Sequence, residues 1–404
     1  MKTLFICCTD YQLINAINIK KNLLQNDNAD IVILNNKAGV FELAKRLQTV
    51  NLFQNVYVYS EKFYGIHKYF QNSEKKKSFF VATVGSIRNI YVNLFQLIKG
   101  KEWGINKRFC KNQKINFSQY NNVFAVQTES FVSEFLDLIL SYNKCSNNLL
   151  DDGVGCYLSY ELNRKHKIDA AYLYEPEMAV YKEQFKNFVK IPKIDTTDEK
   201  FIKLLNYIFD FKKIDKIDLI NNIIFFDQKT FPMPEYLRNA GIIKKIIFWN
   251  SYKKHYQEHL TYKIQIDIFD ILANKIKPEK IFVKFHPRST REYIEKYEKS
   301  NVQTFFSGFS PWEVFCCNCK IENNIWIAMY SSALLAYYFT IKNKSNNKYI
   351  FLYRILNREN RLNNYSNIER FFVNLKKFHY NEIFLPNNTD ELIANINSIK
   401  ESKK

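Results

Sequence analysis

The stretch Lys280-Ile281-Phe282-Val283-Lys284-Phe285-His286-Pro287-Arg288 is a short, β-rich apolar run that ends in a histidine, and the proline behind it cannot continue a strand. An imidazole so placed sits at the carboxyl end of a strand, the edge at which open α/β sheets bind ligands. Two stretches follow it: Ser310-Pro311-Trp312-Glu313 and Tyr330-Ser331-Ser332-Ala333-Leu334-Leu335. The serine pair lies between the apolar run Ile325 to Tyr330 and a second one from Ala333 to Phe339. That position predicts a helix N-cap after a strand, presenting free N–H groups and the positive end of a helix dipole to an anion. Taken singly, His-Pro is more often a turn than an active site and Ser-Ser usually a plain cap; their order and spacing say more.

Around this stretch the pattern keeps alternating. Upstream, Ile223 to Phe226 predicts a strand running into Asp227-Gln228, Phe231 to Pro234 a loop, Ile246 to Phe248 a strand and His259 to Lys275 a helix. Downstream, Lys348 to Tyr353 predicts a strand, and Asn388-Thr389 caps a closing helix over Asp390 to Ile399. The first half alternates in the same way, with strands at Leu4 to Cys8, Ala29 to Leu34, Val56 to Tyr59 and Asn122 to Val126, and helices at Leu13 to Leu24, Val40 to Leu47 and Glu129 to Leu140. This is the signature of doubly wound parallel sheets. Residues 60 to 120 predict a helical excursion at Ile87 to Ile98, facing acceptor or membrane, and the lysine-rich segment from Ile191 to Leu219 predicts a linker. The expectation is two α/β halves, 1–205 and 206–404, with the last helix packing back on the first half.

Composition sets limits on function. A chain of 404 residues with 47% hydrophobic and 16% aromatic content is long enough for two cored domains and is not disordered. Only 9 glycines, with no G-x-G-x-x-G and no Walker-type loop, argue against a glycine-rich phosphate cradle. The net charge of +19 calls for a polyanionic neighbour. Its basic clusters, at Lys75 to Lys77, Lys107 to Lys114, Lys244 to Lys254 and Lys400 to Lys404, include no zinc finger, basic helix or RNP-like motif, so nucleic acid is not the expected partner. Cys316 and Cys319 form a C-x-x-C without a second pair or nearby histidine, so the 8 cysteines read as buried reduced thiols in a reducing compartment. The run Leu4 to Cys8 is too short for a signal peptide, and no window approaches the ~18 apolar residues of a membrane span.

The second informative site is Asn148-Leu149-Leu150-Asp151-Asp152-Gly153. Its glycine permits a positive φ, so both acids can lie on a tight turn at the sheet edge. Adjacent carboxylates resist ionising together, which raises at least one pKa and suits a general base. A solvated Asp-Gly turn and a Mg²⁺ site are the rival readings of the same residues.

Asp-Asp-Gly in one half with His-Pro, Pro-x-Glu and Ser-Ser in the other resembles the bacterial sialyltransferases of glycosyltransferase family 52, with polysialyltransferases and marine-type sialyltransferases as relatives sharing these short motifs. The likeness extends to Phe5 through Leu13 and to Phe225-Phe226-Asp227-Gln228. It implies a GT-B fold, two Rossmann-like domains facing an interdomain cleft, and a CMP-sialic acid donor used without metal or other cofactor. It further implies Asp151 as base, with Asp152 and Asp227 as rivals, and His286 on the departing phosphate, supported by Lys284, Pro287 and Arg288. Glu313 would accept from the ribose hydroxyls, Ser331 and Ser332 would hold the phosphate, and Asp227 with Gln228 would line the donor side. The implied function is inverting sialyl transfer to a galactose- or sialic-acid-terminated glycan, lipooligosaccharide or capsule, at the inner face of a bacterial plasma membrane whose anionic lipid the basic surface meets. A polysialyltransferase, a different sugar donor, and a non-catalytic polyanion-binding protein stay open, as does a homodimer.

Overall fold

The computed structural model describes residues 1–35, 39–60, 115–126, 130–142, 144–158, 167–182, 185, 187–212, 218–228, 241, 249–275, 281–286, 295, 297, 303–305, 310–342, 345–359, 362 and 365–402. The expected excursion at 87–98, the loop at 231–234, the strand at 246–248, the basic clusters at 75–77 and 107–114, and the residues Pro287 and Arg288 lie outside the described residues.

In the first half, β1 (Lys2–Cys7), β2 (Asn28–Asn35), β3 (Asn55–Ser60), β4 (Asn122–Ala125), β5 (Ser146–Leu150), β6 (Ala170–Leu173) and β7 (Asn187–Lys190) form one parallel sheet in the order β3-β2-β1-β4-β5-β6-β7. Between them run α1 (Asp10–Asn22), α2 (Val40–Thr49), α3 (Ser130–Tyr142) and the short α4 (Val154–Leu158). Strand alternation divides the core. Leu4, Ile6, Val32 and Val123 pack under α3 through Val132, Leu136 and Ile139, whereas Phe5, Ile31, Ile33 and Phe124 pack under α1 and α2. At the head of α1 the Thr9 hydroxyl accepts the Gln12 N–H at 3.2 Å, and Asp10 at its start with Lys20 and Lys21 at its end complement the helix dipole.

The chain then passes through β8 (Ile194–Asp195), α5 (Glu199–Phe209) and β9 (Leu219–Ile220) into the second half. The described part of the predicted linker is therefore structured, and the expected boundary at 205/206 falls inside α5. This helix buries Phe201, Leu205 and Ile208 along one face, and the Asp198 carboxylate caps it by accepting the Phe201 N–H at 3.0 Å. Arg46 Nε donates to the Ile208 carbonyl at 2.8 Å on the first-half side, and the Asn206 and Asn318 side chains pair at 2.7 Å on the other.

In the second half, β10 (Ile223–Phe226), α6 (Trp249–Lys275), β11 (Ile281–Lys284), β12 (Gln303–Phe305), α7 (Trp312–Asn318), β13 (Ile321–Glu322), β14 (Ile325–Ala328), α8 (Ser332–Thr340), β15 (Ile341–Lys342), β16 (Lys348–Phe351), α9 (Tyr353–Glu359), α10 (Tyr365–Phe378), β17 (Ile383–Phe384) and α11 (Thr389–Glu401) follow in turn. Six of these strands build a parallel sheet in the order β12-β11-β10-β14-β16-β17. Both sheets thus carry the 3-2-1-4-5-6 order of a dinucleotide-binding fold, the first with β7 added at its edge. The two Rossmann-like domains make this an α/β chain of GT-B architecture, as expected.

One core runs through the junction, joining Phe5, Leu150 and Tyr157 of the first domain to Trp312, Trp326, Phe339 and Phe371 of the second. Ile341-Lys342 pairs in parallel with Ile194-Asp195, and the Lys193 ammonium donates to the Tyr338 carbonyl at 3.3 Å. Among the described residues the closing helix packs on the second domain rather than the first. Leu392, Ile396 and Ile399 of α11 enter the core formed by Ile223, Phe225 and Ile327, so this helix covers the second sheet. It is α10 that reaches across, its Phe371 ring 6.0 Å from that of Tyr157 and its Asn367 amide hydrogen-bonded to the Tyr181 hydroxyl.

Candidate active site

The acid loop leaves the carboxyl end of β5 and turns at Gly153, whose φ of 83° is open to glycine at little steric cost. Asp151 is fully buried, and both carboxylate oxygens are engaged. Oδ1 accepts from the Gly153 N–H at 2.8 Å and the Tyr11 hydroxyl at 3.4 Å; Oδ2 accepts from the Tyr157 hydroxyl at 2.5 Å and the Tyr174 N–H at 3.3 Å. Burial pushes its pKa up to about 6 against the pull of those four donors. Asp152 differs. It is partly exposed, and its Oδ1 accepts from the Gln12 amide at 2.8 Å. Gln12 is itself held, since its carbonyl oxygen accepts the Cys8 N–H at 2.7 Å.

These contacts come from a polar ridge on α1 that the sequence reading did not single out. Tyr11, Gln12 and Asn15 all reach the acid loop, the last by donating to the Asp151 carbonyl at 2.9 Å. Asn18 continues the ridge, donating to the Tyr174 hydroxyl at 3.1 Å. Amides at positions 12, 15 and 18, spaced three apart and interleaved with Leu13, Ile14, Ala16 and Ile17, were the signal, since a buried amide requires polar partners. Tyr157, Tyr174 and Thr340 carried no comparable mark.

On the facing domain, register fixes the geometry. Lys284, Phe226 and Ala328 align at the ends of β11, β10 and β14, so the chain leaves all three strands at one edge. His286, partly exposed, lies two residues past the end of β11; Ser331 lies three past β14. The strands β11 and β14 themselves lie two strand spacings apart, roughly 10 Å. The Ser331 hydroxyl accepts the Ala333 N–H at 3.2 Å and caps α8, while Ser332 opens the helix, as the sequence predicts. Glu313 sits in the first turn of α7, buried, with its pKa pushed up to about 7 by burial, lowered by its own backbone N–H and by Lys284, and raised by Asp10.

Lys284 is buried as well. Burial lowers its pKa, while Glu313, Asp227 and Cys316 pull the other way, and the ammonium makes no hydrogen bond or ion pair among the described residues. Asp227 departs from its expected donor-side place. One residue past Phe226, it turns to the opposite face of the sheet, where Gln265 and the Tyr297 hydroxyl donate to its carboxylate. The Gln228 N–H goes to the same Gln265, at 3.0 Å. Alternation of side chains along the strand is the reason.

The two edges meet. Asp10, at the head of α1, acts electrostatically on Glu313 of the second domain, and the Tyr11 hydroxyl joins Thr340 Oγ1 of α8 at 3.1 Å while donating to Asp151. Asp151-Asp152, Asp10, Glu313 and Lys284 therefore belong to one junction between the two domains, while the Ser331 cap stands at the other end of α8 from Thr340. The thiols of Cys7, Cys156 and Cys316 near these acids are pushed well up by burial, and no described cysteine forms a disulfide. Among the described residues no group of three or more His, Cys, Asp or Glu side chains converges to hold a metal ion, and no helix is long and apolar enough to cross a membrane.

An α/β protein with two nucleotide-fold domains and a charged junction between their ligand-binding edges is the class that this geometry defines. The sequence matches no protein-family profile and no curated protein. Among solved structures, the chain is similar to the GT-B domain of a sialyltransferase from Photobacterium damselae, at 12% identity over 95% of this chain and 100% of that one, with a TM-score of 0.40. It is also similar to UGT89C1 of Arabidopsis thaliana complexed with UDP, at 6% identity over 91% of this chain and 82% of that one, with a TM-score of 0.38. Neither likeness identifies the reaction.

Proposed function

We propose that this protein is an inverting glycosyltransferase that moves sialic acid from CMP-sialic acid to a hydroxyl of a surface glycan, without a metal ion. The observation that carries this reading is the junction itself. A paired-acid loop from one domain meets a buried Lys-Glu set from the other, whose sheet also carries a histidine past β11 and a helix cap past β14.

A general base must come within hydrogen-bond reach of the proton it takes. Burial and four donors close Asp151 off, and partial exposure favours Asp152 as the base, with Gln12 fixing its orientation. Asp151 then positions the loop. In the reaction the acceptor oxygen attacks the sialyl anomeric carbon from the face opposite the nucleotide, and its proton passes to Asp152. The bond from that carbon to the phosphate oxygen breaks, and CMP departs as a phosphate monoester with one more negative charge than it carried in the donor. His286 supplies a proton or hydrogen bond to the departing oxygen. The α8 N-terminus at Ser331 and Ser332 receives the phosphate charge, which a preorganised dipole stabilises with no reorganisation. Glu313 accepts from the ribose hydroxyls, and Lys284 pulls against the burial that raises that carboxylate's pKa to about 7.

A donor screen read by mass spectrometry tests this. CMP-sialic acid with galactosyl and sialyl acceptors in EDTA should yield CMP and a sialylated product, whereas UDP- and GDP-hexoses should not react. Turnover of a nucleoside diphosphate sugar with none of CMP-sialic acid would overturn the reading. Product confined to sialyl acceptors and growing in length would make it a polysialyltransferase.

A further inference from the structure

The outer face of α10 and the turn after it have no role in the junction chemistry. This helix buries Ile368, Phe371, Phe372 and Leu375, and its only acid, Glu369, is neutralised internally by Arg354 and the Tyr365 hydroxyl. Arg370 and Lys377, seven residues apart and so on one face, are exposed, and Lys376 stands beside them. Immediately beyond, Phe378 is 63% and Tyr380 73% exposed, the most exposed large apolar side chains apart from Met1 among the described residues. The Lys376 ammonium lies 5.8 Å from the centre of the Tyr380 ring, and Lys348 donates to the Asn381 carbonyl at 2.9 Å, adding a further cation to the turn. The one acid of the turn, Glu382, accepts the Tyr338 hydroxyl at 2.8 Å.

We infer that this face, Arg370, Lys376, Lys377, Phe378 and Tyr380 with Lys348, docks the protein onto an anionic lipid bilayer. Cations answer the negative headgroups, and two exposed aromatic rings within three residues suit the half-apolar boundary beneath them. A hydrated polyanionic glycan would satisfy the cations but offers no hydrocarbon for Phe378. The inner face of the same helix places Phe371 against Tyr157, whose hydroxyl holds Asp151. A membrane on the outer face would thus lie one helix away from the acid loop, where an acceptor rooted in that membrane is needed. This last point rests on the transferase reading; the docking itself does not.

The test is co-sedimentation of the full chain with vesicles of phosphatidylcholine alone or with ~30% phosphatidylglycerol at ~0.15 M salt, conditions in which surface charge is partly screened. The expected result is binding to the anionic vesicles only. K376Q/K377Q should weaken it roughly thirtyfold, at about 1 kcal/mol per lysine. F378S/Y380S should weaken it about tenfold by removing buried apolar area. Unchanged thermal melting of both variants would show that they fold. Absence of binding by the native protein, or equal binding by both variants, would overturn the inference. A loss confined to the lysine variant would also overturn it, marking a purely electrostatic site for a soluble polyanion. If the vesicles bind as expected but no nucleotide sugar turns over, the docking stands and the transferase reading falls.

Discussion

The two sides of the junction are built in opposite ways. On the first domain the Asp151 carboxylate accepts four hydrogen bonds, and the Asp152 carboxylate is oriented by an amide that is itself anchored. On the second domain Lys284 and Glu313 are just as buried, yet Lys284 makes no hydrogen bond among the described residues and Glu313 has its own N–H and the nearby ammonium. A caged carboxylate holds a loop in shape whatever is bound. Buried charges with few partners are costly until a ligand completes them. The difference separates a preset acid loop from a pocket that a ligand with hydroxyls and negative charge would complete.

Breaking the acid side gives the largest effect. Asp152→Asn should lower kcat by about 10³-fold with thermal melting unchanged, the range expected when a general base is lost. Asp151→Asn should act chiefly on the fold, by about 1–3 kcal/mol in urea denaturation, because a neutral amide cannot accept from all four donors. If the two variants exchange these behaviours, Asp151 is the base.

Breaking the ligand side should look different. Lys284→Met should leave stability unchanged or raised, since it removes a buried cation with no hydrogen-bond partner among the described residues, but weaken CMP binding by about ten- to a hundredfold in calorimetry, with Glu313 then more firmly protonated. A large fall in stability with CMP affinity intact would make Lys284 a structural charge.

The pH dependence of stability sharpens the same contrast. Asp151 and Glu313 both hold protons more tightly in the folded chain than their ordinary values allow, at about 6 and about 7. Folding is therefore favoured by these groups below their unfolded pKa values, near 4, and that contribution is lost as pH rises through about 6 to 7. The urea midpoint should fall between pH 4.5 and pH 7.5, and Asp151→Asn should flatten the lower part of that fall. A midpoint that rises over this window would contradict the burial of both acids.

The smallest effect belongs to the bond that joins the two sides. Tyr11→Phe and Thr340→Val should each cost about 1 kcal/mol, and in a double-mutant cycle the pair should cost less than the sum, because both remove the same hydrogen bond. Additive losses would place the two side chains in separate networks.

Much of this was legible in the sequence because it is local. The apolar run ending at His286, the Ser331 cap and the positive φ at Gly153 follow from strand, cap and turn chemistry within a few residues. The helix inside the lysine-rich segment 199–209 was missed because charge masked its apolar positions at 201, 205 and 208. Asp227 could have been placed by counting from Phe226, since a one-residue step changes faces. Other features were beyond reach. Tyr11 and Thr340 are 329 residues apart, and nothing local to either announces the other. The same holds for Asn367 and Tyr181, which show that α10 rather than the closing helix crosses the junction.

The most direct test compares CMP release from CMP-sialic acid, in EDTA and with a galactosyl acceptor, for the native chain, Asp152→Asn and His286→Ala. Release by the native protein, lost in both variants while their melting temperatures hold, is the expected result. Release that survives both substitutions, or a native chain that neither binds CMP nor cleaves its sialyl ester with any acceptor, would show that the junction is not a sialyl-transfer site.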